Sequence, residues 1–266
     1  MAPEEGFTSI SDASVPNAGR IYDYLLGGNH NFEIDRAAAQ QLTKSVPDMA
    51  IAVRLIRWFL GEAVRRLSAE GYRKFLDFAS GLPTVDHIHY VTPAGTKVLY
   101  SDIDPVTVSY GTDIVKDLPD VAFVQTDASV PEKLLALDIV NTLFGADHKV
   151  AIGLNGIAWF LPDEKLGHAL EILYDWAAPG SKLFMSDVAL GKKTEMVSAV
   201  GEFYKQVNQP VYNRSEERLR ELLGKWKVTD PGIEPLDSWL KVGPTFKMPE
   251  VFSSAGTMVG MILVKE

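Results

Sequence analysis

From Phe75 onward, short apolar runs alternate with helix-patterned stretches, and this alternation constrains the fold more than any other feature of the chain. The runs 74–78, 97–101, 121–125, 149–155, 181–187, 226–229 and 256–264 read as strands. Between them, 84–91, 105–116, 131–143, 163–177, 192–208 and 215–224 read as helices. A crossover helix between two strands returns the chain to the same end of a sheet, so repeated alternation predicts a mainly parallel sheet covered on both faces. The last run, 255–264, follows an irregular stretch and reads as an added antiparallel strand. No internal repeat or low-complexity tract interrupts this order.

Helices precede the strands. Residues 1–16 are polar, acidic and small, and read as a loose arm. A short helix from Asn17 to Leu26 is stopped by Gly27-Gly28. Residues 33–45 favour a second helix. Pro47-Asp48 opens a longer one to about Ala69, with Ile51, Leu55, Trp58, Phe59, Val64 and Leu67 on or near one side. The expected division is an arm (1–16), an N-terminal helical lobe or lid (17–70) and a Rossmann-like domain (71–266).

With 266 residues, 46% of them hydrophobic, the chain is long enough for one large core. A net charge of −9 argues against broad electrostatic binding to nucleic acid. The absence of cysteine excludes disulfides, cysteine-bound zinc and thiol nucleophiles. No apolar run approaches a membrane span. The start, Met1-Ala-Pro-Glu-Glu-Gly, lacks the pattern of a signal peptide, and a cytoplasmic protein is expected.

In an open parallel sheet, ligands sit outside the carboxyl ends of the strands, so residues at those ends carry the functional reading. The first strand ends Asp77-Phe-Ala79-Ser80-Gly81, where small residues let a ligand approach the backbone and Gly81 accommodates positive φ. The second ends Ser101-Asp102-Ile103-Asp104-Pro105. A carboxylate at Asp102 suits the vicinal hydroxyls of a ribose, whereas Asp104 reads as the cap of the helix begun by Pro105. The third ends at Asp127-Ala128, where the carboxylate suits an adenine amine and the Ala128 amide a ring nitrogen. The fourth ends Asn155-Gly156, followed by Trp159. A dinucleotide calls for a G-x-G-x-x-G pyrophosphate site, which Ala79-Ser-Gly-Leu-Pro-Thr does not match, and a nicotinamide-dependent oxidoreductase is disfavoured. S-adenosyl-L-methionine needs ribose and adenine partners and room for a zwitterionic tail, and the four strand ends suit it.

The chain resembles a class I S-adenosylmethionine-dependent methyltransferase and, more narrowly, a bacterial family of S-adenosyl methyltransferases long catalogued as a domain of unknown function. The resemblance spans nearly everything after Ser14. It is carried by Arg20-Ile-Tyr-Asp-Tyr-Leu-Leu-Gly-Gly28 with Asn31-Phe32 and Asp35-Arg36; by Phe75-Leu-Asp77 with Ser80-Gly-Leu-Pro-Thr84 and His89; by Asp102 with Asp104-Pro105; by Phe160-Leu-Pro-Asp163; and by Pro231-Gly232 with Trp239. It implies a seven-stranded sheet with an antiparallel last strand and a helical lobe closing over the cofactor. Asp77, Ser80 and Gly81 would line the methionine side, Asp102 the ribose, Ile103 and Asp127 the adenine, and Asn155 and Gly156 the ribose or methionine portion; Ala79 and Ala128 join the cofactor candidates by their places at the strand ends. Three positions depart from the family pattern: Ala79 replaces a glycine, Asn29-His30 replaces a lysine and acidic pair, and Trp159 replaces a histidine.

Methyl transfer from a sulfonium requires alignment and exclusion of water, and needs no triad. His30 and His89 are candidates for a general base because imidazole titrates near neutrality. Tyr22, Tyr24, Gly27, Gly28, Asn29 and Asn31 form a polar and aromatic cluster suited to the substrate or a lid, and Trp159 to the substrate wall. His87 and His89, two apart on a helix, do not share a face for a metal, and no metal is expected. The acceptor is expected to be an unidentified small molecule. The competing reading is a non-catalytic S-adenosylmethionine sensor or regulatory protein, motivated by positions 79 and 159.

Overall fold

The structure is a computed structural model and describes residues 14–84, 86–189, 195–240 and 257–266. Most of the expected arm, including residues 1–13, lies outside the described residues, as do residues 192–194 and 256 at the starts of the expected fifth helix and last strand. In chain order the elements are α1 (Ala18–Leu25), α2 (Glu33–Ser45), α3 (Met49–Ala69), β1 (Lys74–Asp77), α4 (Ile88–Val91), β2 (Lys97–Asp102), α5 (Pro105–Val115), β3 (Val121–Gln125), α6 (Pro131–Leu135), α7 (Asp138–Phe144), β4 (Ala151–Leu154), α8 (Asp163–Trp176), β5 (Lys182–Ala189), α9 (Glu195–Gln206), α10 (Glu216–Leu222), β6 (Lys227–Val228), β7 (Glu234–Pro235), α11 (Leu236–Trp239) and β8 (Thr257–Val264). A 3₁₀ turn, Ala158–Phe160, follows β4.

The sheet runs in the order β3-β2-β1-β4-β5-β8-β6, with β7 paired to β8 off that path. The first five strands are parallel and β8 is antiparallel to β5, in register from Lys182 opposite Val264 to Ala189 opposite Thr257. The sheet thus has eight strands where seven are expected; the extra one is the two-residue β7, too short to leave an alternating pattern in the sequence. The chain winds outward through β1, β2 and β3, then returns to place β4 on the other side of β1. That reversal opens a crevice above the carboxyl ends of β1 and β4.

Alternate strand residues feed two cores. Phe75, Tyr100, Phe184 and Ile262 face the N-terminal helices, while Leu76, Leu99, Leu183 and Met261 face α6, α7, α8 and α10. Ile21, Leu42, Phe59 and Val64 belong to the first of these clusters, so α1, α2 and α3 pack directly into the sheet's own core. Trp58, grouped by sequence with the apolar side of α3, is 45% exposed, because it falls with Arg54 and Arg65 on the helix face turned away from both the sheet and the crevice. The expected helix 131–143 divides into α6 and α7 at an extended Leu137, and no glycine or proline signals that break. The expected helix 84–91 is reduced to α4, whose first amide donates to the side chain of His87.

A buried ion network joins the N-terminal helices to the sheet. The Arg20 guanidinium donates through Nε to Asp35 on α2 (2.8 Å) and through Nη1 to Asp104 at the end of β2 (3.0 Å), with all three side chains at most 1% exposed. Asp104 also caps α5, accepting from the amide and hydroxyl of Thr107.

On the sheet-facing side of α3, the Phe59 ring sits edge-on to Trp239 and fills the space above Gly260 of β8, where an added Cβ would meet it at 2.4 Å. Gly260→Ala is therefore expected to destabilise the protein by about 1–3 kcal/mol through overpacking. Urea unfolding measures this, and an unchanged midpoint would contradict the close packing of α3 on β8.

Candidate functional site

A cavity of about 600 Å³ lies above the carboxyl ends of β1 to β4, roofed by α1, α3 and the segment after α9. Its floor is the turn after β1. Ala79 (φ 50) and Gly81 (φ 61) both take the left-handed conformation, which turns the backbone sharply under the cavity. The turn is stitched to β2: the Ser80 amide donates to the Ser101 carbonyl (2.8 Å), and the Gly81 amide to Asp102 Oδ2 (2.9 Å). Asp102 Oδ1 accepts from the Asp104 amide. A carboxylate has about four acceptor positions, so Asp102 retains capacity for ligand hydroxyls. Burial pushes its carboxyl up to about 6, against those amide donors.

Asp77 ends β1 with 1% exposure, and its Oδ2 has no hydrogen-bond partner. Burial pushes its carboxyl up to about 7, opposed by the Arg57 charge and raised further by Asp102. It fits only because β4 carries Gly153 beside it; a Cβ there would lie 2.1 Å from Asp77 Oδ1. Arg57 on α3 is 8% exposed, has an unpartnered Nη1 and lies over the Tyr22 ring. Both Asp77 and Arg57 line the cavity.

The other end of the floor is formed after β2 and β3. Ile103, Asp127 and Ala128 line it, with Thr126 and Ser129, whose buried hydroxyls lack partners. One oxygen of Asp127 accepts from the Ser129 amide (2.8 Å), which aims the side chain while leaving acceptor capacity. Asn155 and Gly156 form the wall above β4. The Asn155 amide is engaged internally, donating to the Ile56 carbonyl and accepting from Ser186, so its contribution is to hold α3 against β4 and β5.

Ten cofactor candidates from the sequence, Asp77, Ala79, Ser80, Gly81, Asp102, Ile103, Asp127, Ala128, Asn155 and Gly156, are all brought to this cavity, together with Tyr22 and Trp159. Tyr24, Gly27, Gly28, Asn29, His30 and Asn31 are not among its lining residues. Their segment closes on Asp23, which accepts from the His30 amide and the Asn31 side chain (3.0 and 2.8 Å) and leaves no room for a Cβ at Gly28. The Gly-Gly motif is thus a packed loop around a buried carboxylate. His30 instead meets Tyr110 edge-on.

His89 also lies outside the lining, with Nδ1 2.9 Å from the Tyr100 hydroxyl. The histidine that reaches the cavity is His87. Its Nδ1 accepts from the Ile88 amide, which leaves Nε2 as the protonated nitrogen, directed at the Ser80 carbonyl. Burial and the Arg57 charge hold it well below the ordinary imidazole range, so it is neutral and positions the turn. Sequence reasoning missed Arg57, Thr126, Ser129 and Gly153. The available signals were a cation within the apolar spacing Val53, Ile56 and Leu60, and a glycine inside a buried strand.

Among the described residues, no cluster of three or more His, Asp or Glu side chains is placed to hold a metal, and no helix is long and apolar enough to cross a membrane. The strand order, the antiparallel β8 beside β5 and a cavity floored by acidic strand ends define a class I S-adenosylmethionine-dependent methyltransferase. The chain belongs to the S-adenosyl methyltransferase family, whose family model matches residues 4–260. A protein from Thermobifida fusca, provisionally described as a methyltransferase, is 28% identical over 100% of this chain and 99% of its own, with a TM-score of 0.87. A DUF574 family protein from Streptomyces avermitilis is 24% identical over 96% and 99% of the two chains, with a TM-score of 0.84. The fold extends to a geranyl diphosphate methyltransferase solved in complex with S-adenosylmethionine (11% identity, 77% and 85% of the chains, TM-score 0.54). No curated protein matches the chain.

The residues present fit that cofactor. Unpartnered buried groups of both charges would suit a zwitterionic tail at the β1 end, the free acceptor positions of Asp102 a diol, and the unpartnered hydroxyls of Thr126 and Ser129 a polar heterocycle.

Two predictions follow from this floor. The left-handed conformation costs an alanine about 1–2 kcal/mol, part of which glycine would lose again to unfolded-chain entropy. Ala79→Gly is accordingly expected to stabilise the protein by about 0.5–1 kcal/mol in urea unfolding, and a lowered midpoint would contradict strain at position 79. Cofactor binding is also expected to depend on pH. Burial pushes the Asp77 carboxyl up to about 7, so an Asp77 that receives the cofactor's ammonium would first have to lose its proton. The groups facing it are Arg57, Ser80, neutral His87 and Asp102. Affinity should therefore rise about tenfold from pH 6 to pH 8, as the ionised fraction rises. Calorimetry in buffers of different ionisation enthalpy should detect the released proton, and a flat profile would contradict the assignment.

Proposed function

We propose that the protein transfers a methyl group from S-adenosylmethionine to a small, largely apolar acceptor held beside the β4 end of the cavity. The observation that carries this is the cavity's second half. Beyond the charged floor, it is lined by Tyr22, Met49, Trp159, Phe160, Tyr204 and Met258. These side chains favour a flat or apolar molecule and exclude water from the reacting centre.

The cofactor supplies an electrophilic methyl group on a sulfonium. The chain's part is to position and desolvate. Asp77 and the turn 79–81 fix the amino-acid end, Asp102 the sugar, and Trp159 and Phe160 present the acceptor from the opposite side. Asp77 and Asp102, whose carboxyls burial brings towards neutrality, are committed in this reading to the cofactor, and neither His87 nor Tyr204 is a suitable general base. His87 is neutral with both nitrogens engaged, and burial keeps the Tyr204 hydroxyl protonated by pushing it far above its ordinary value. The acceptor therefore arrives with a nucleophilic atom already available, such as a ring nitrogen, an amine or an ionised hydroxyl. Neither residue behind the sensor reading closes the cavity, since Ala79 lies in its floor and Trp159 in its wall.

Calorimetry should detect binding of S-adenosylmethionine and its demethylated product. Incubation with methyl-labelled cofactor and a fractionated pool of small metabolites should then place label in an apolar fraction. Binding without label in any fraction would overturn the enzymatic reading in favour of the sensor, and binding of neither ligand would overturn both. Once an acceptor is found, Trp159→Ala is expected to raise its KM about tenfold or more, while the cofactor's dissociation constant stays within about twofold. Equal losses in both would contradict Trp159 as acceptor wall.

A further inference from the structure

We infer that Arg57, together with Asp77, forms a charge frame that selects the amino-acid tail of the cofactor, with the guanidinium receiving the carboxylate and Asp77 the ammonium. The inference rests on S-adenosylmethionine occupying the cavity and adds a binding residue in α3 that faces it.

A guanidinium removed from water needs an anion or a set of acceptors. Arg57 is 8% exposed, its Nη1 has no hydrogen-bond partner, and among the described residues it forms no ion pair within 4 Å. Its hydrogen bond to the Tyr22 hydroxyl and the contact of its charge with the Tyr22 ring, 5.6 Å to the centroid, orient it without neutralising it. The other buried arginines are different: Arg20 is paired with Asp35 and Asp104, and Arg214 with Asp163 and Asp187. Among the described residues, the other buried arginines are thus paired with carboxylates, and Arg57, which lines the cavity, has no carboxylate within ion-pair distance.

Position supports a ligand as the missing partner. Arg57 follows Val53 and Ile56 on the α3 stripe facing the cavity, and Asn155 holds that helix to β4 by donating to the Ile56 carbonyl. Asp77 Oδ2, likewise buried and unpartnered, lies in the floor of the same cavity. One unsatisfied cation and one unsatisfied anion, held apart by the fold, complement a zwitterion. An uncharged tail would leave both without partners, and an isolated anion would leave Asp77 without one. Charge-assisted hydrogen bonds of this kind are the strong ones, and a planar guanidinium suits a carboxylate.

The test compares ligands that differ only in the tail, by calorimetry on the full-length protein. The wild type and Arg57→Met are titrated with S-adenosylhomocysteine and with methylthioadenosine, which lacks the amino-acid portion. Arg57→Met should weaken S-adenosylhomocysteine about tenfold to a hundredfold and leave methylthioadenosine within about twofold. Arg57→Lys, which keeps the charge, should recover part of the loss. Equal weakening of both ligands would show that Arg57 only supports the fold and would overturn the inference, as would unchanged binding of S-adenosylhomocysteine. A second arm needs no variant. Wild-type protein should bind decarboxylated S-adenosylmethionine at least about tenfold more weakly than S-adenosylmethionine, and equal affinities would overturn the inference even if Arg57→Met failed to fold. Wild-type protein that bound neither S-adenosylhomocysteine nor methylthioadenosine would overturn the cofactor reading itself, whereas loss of tail discrimination alone would overturn only the frame.

Discussion

The carboxylate of Asp102 links the first two strand ends, and much of the site's geometry depends on it. One oxygen accepts the Gly81 amide and the other the Asp104 amide. The first bond holds a left-handed turn beneath the cavity. The second sets the chain leaving β2 so that Asp104 both caps α5 and receives Arg20. Arg20 in turn brings α1 and, through Asp35, α2 to this edge of the sheet. The floor and roof of the cavity are therefore coupled by one run of buried carboxylates and a single guanidinium. Removing one partner of such a network leaves another charge buried without compensation, which gives a structural reason for the spacing of Arg20, Asp35, Asp102 and Asp104.

The same region is electrostatically incomplete. Asp77 and Asp102 are carboxyls that burial makes hard to ionise, while Arg57 has an unpartnered Nη1 and, among the described residues, no carboxylate within ion-pair distance. In a finished core such groups would be paired or replaced by apolar ones. Here they are held in place by their surroundings: Gly153 makes space for Asp77, His87 supports Ser80, and Asn155 fixes α3 against β4. Donors and acceptors positioned before a ligand arrives need no reorganisation when it binds. The aromatic half of the cavity has the opposite character, being apolar and without a base, and the two halves match the two partners of a methyl transfer.

The sheet was legible because it depends on period and order, which a sequence carries openly. The strand ends were legible for the same reason: in a parallel sheet they converge on one edge, so Asp77, Asp102 and Asp127 come together although far apart in sequence. The Gly27–Asn31 segment was misleading. Its polar and aromatic composition suits a ligand contact, but the hydrogen-bonding groups turn inward onto Asp23, and composition does not record direction. His87 and His89 differ by two positions, and only the extended entry to α4 decides which one faces the cavity. Arg57 was hidden within an apolar stripe, where a lone cation reads as surface. The two-residue β7 and the division between α6 and α7 arise from tertiary packing, and nothing in their local sequence marks them.

The most direct measurement of the central claim is a crystal structure of the protein with S-adenosylhomocysteine. Density is expected to cross the turn at Ala79–Gly81, with the ribose hydroxyls on Asp102, the adenine beside Asp127 and Ala128, and the amino-acid end between Asp77 and Arg57. Density elsewhere in the molecule, or a ligand lying across the turn with its ribose away from Asp102, would contradict that claim.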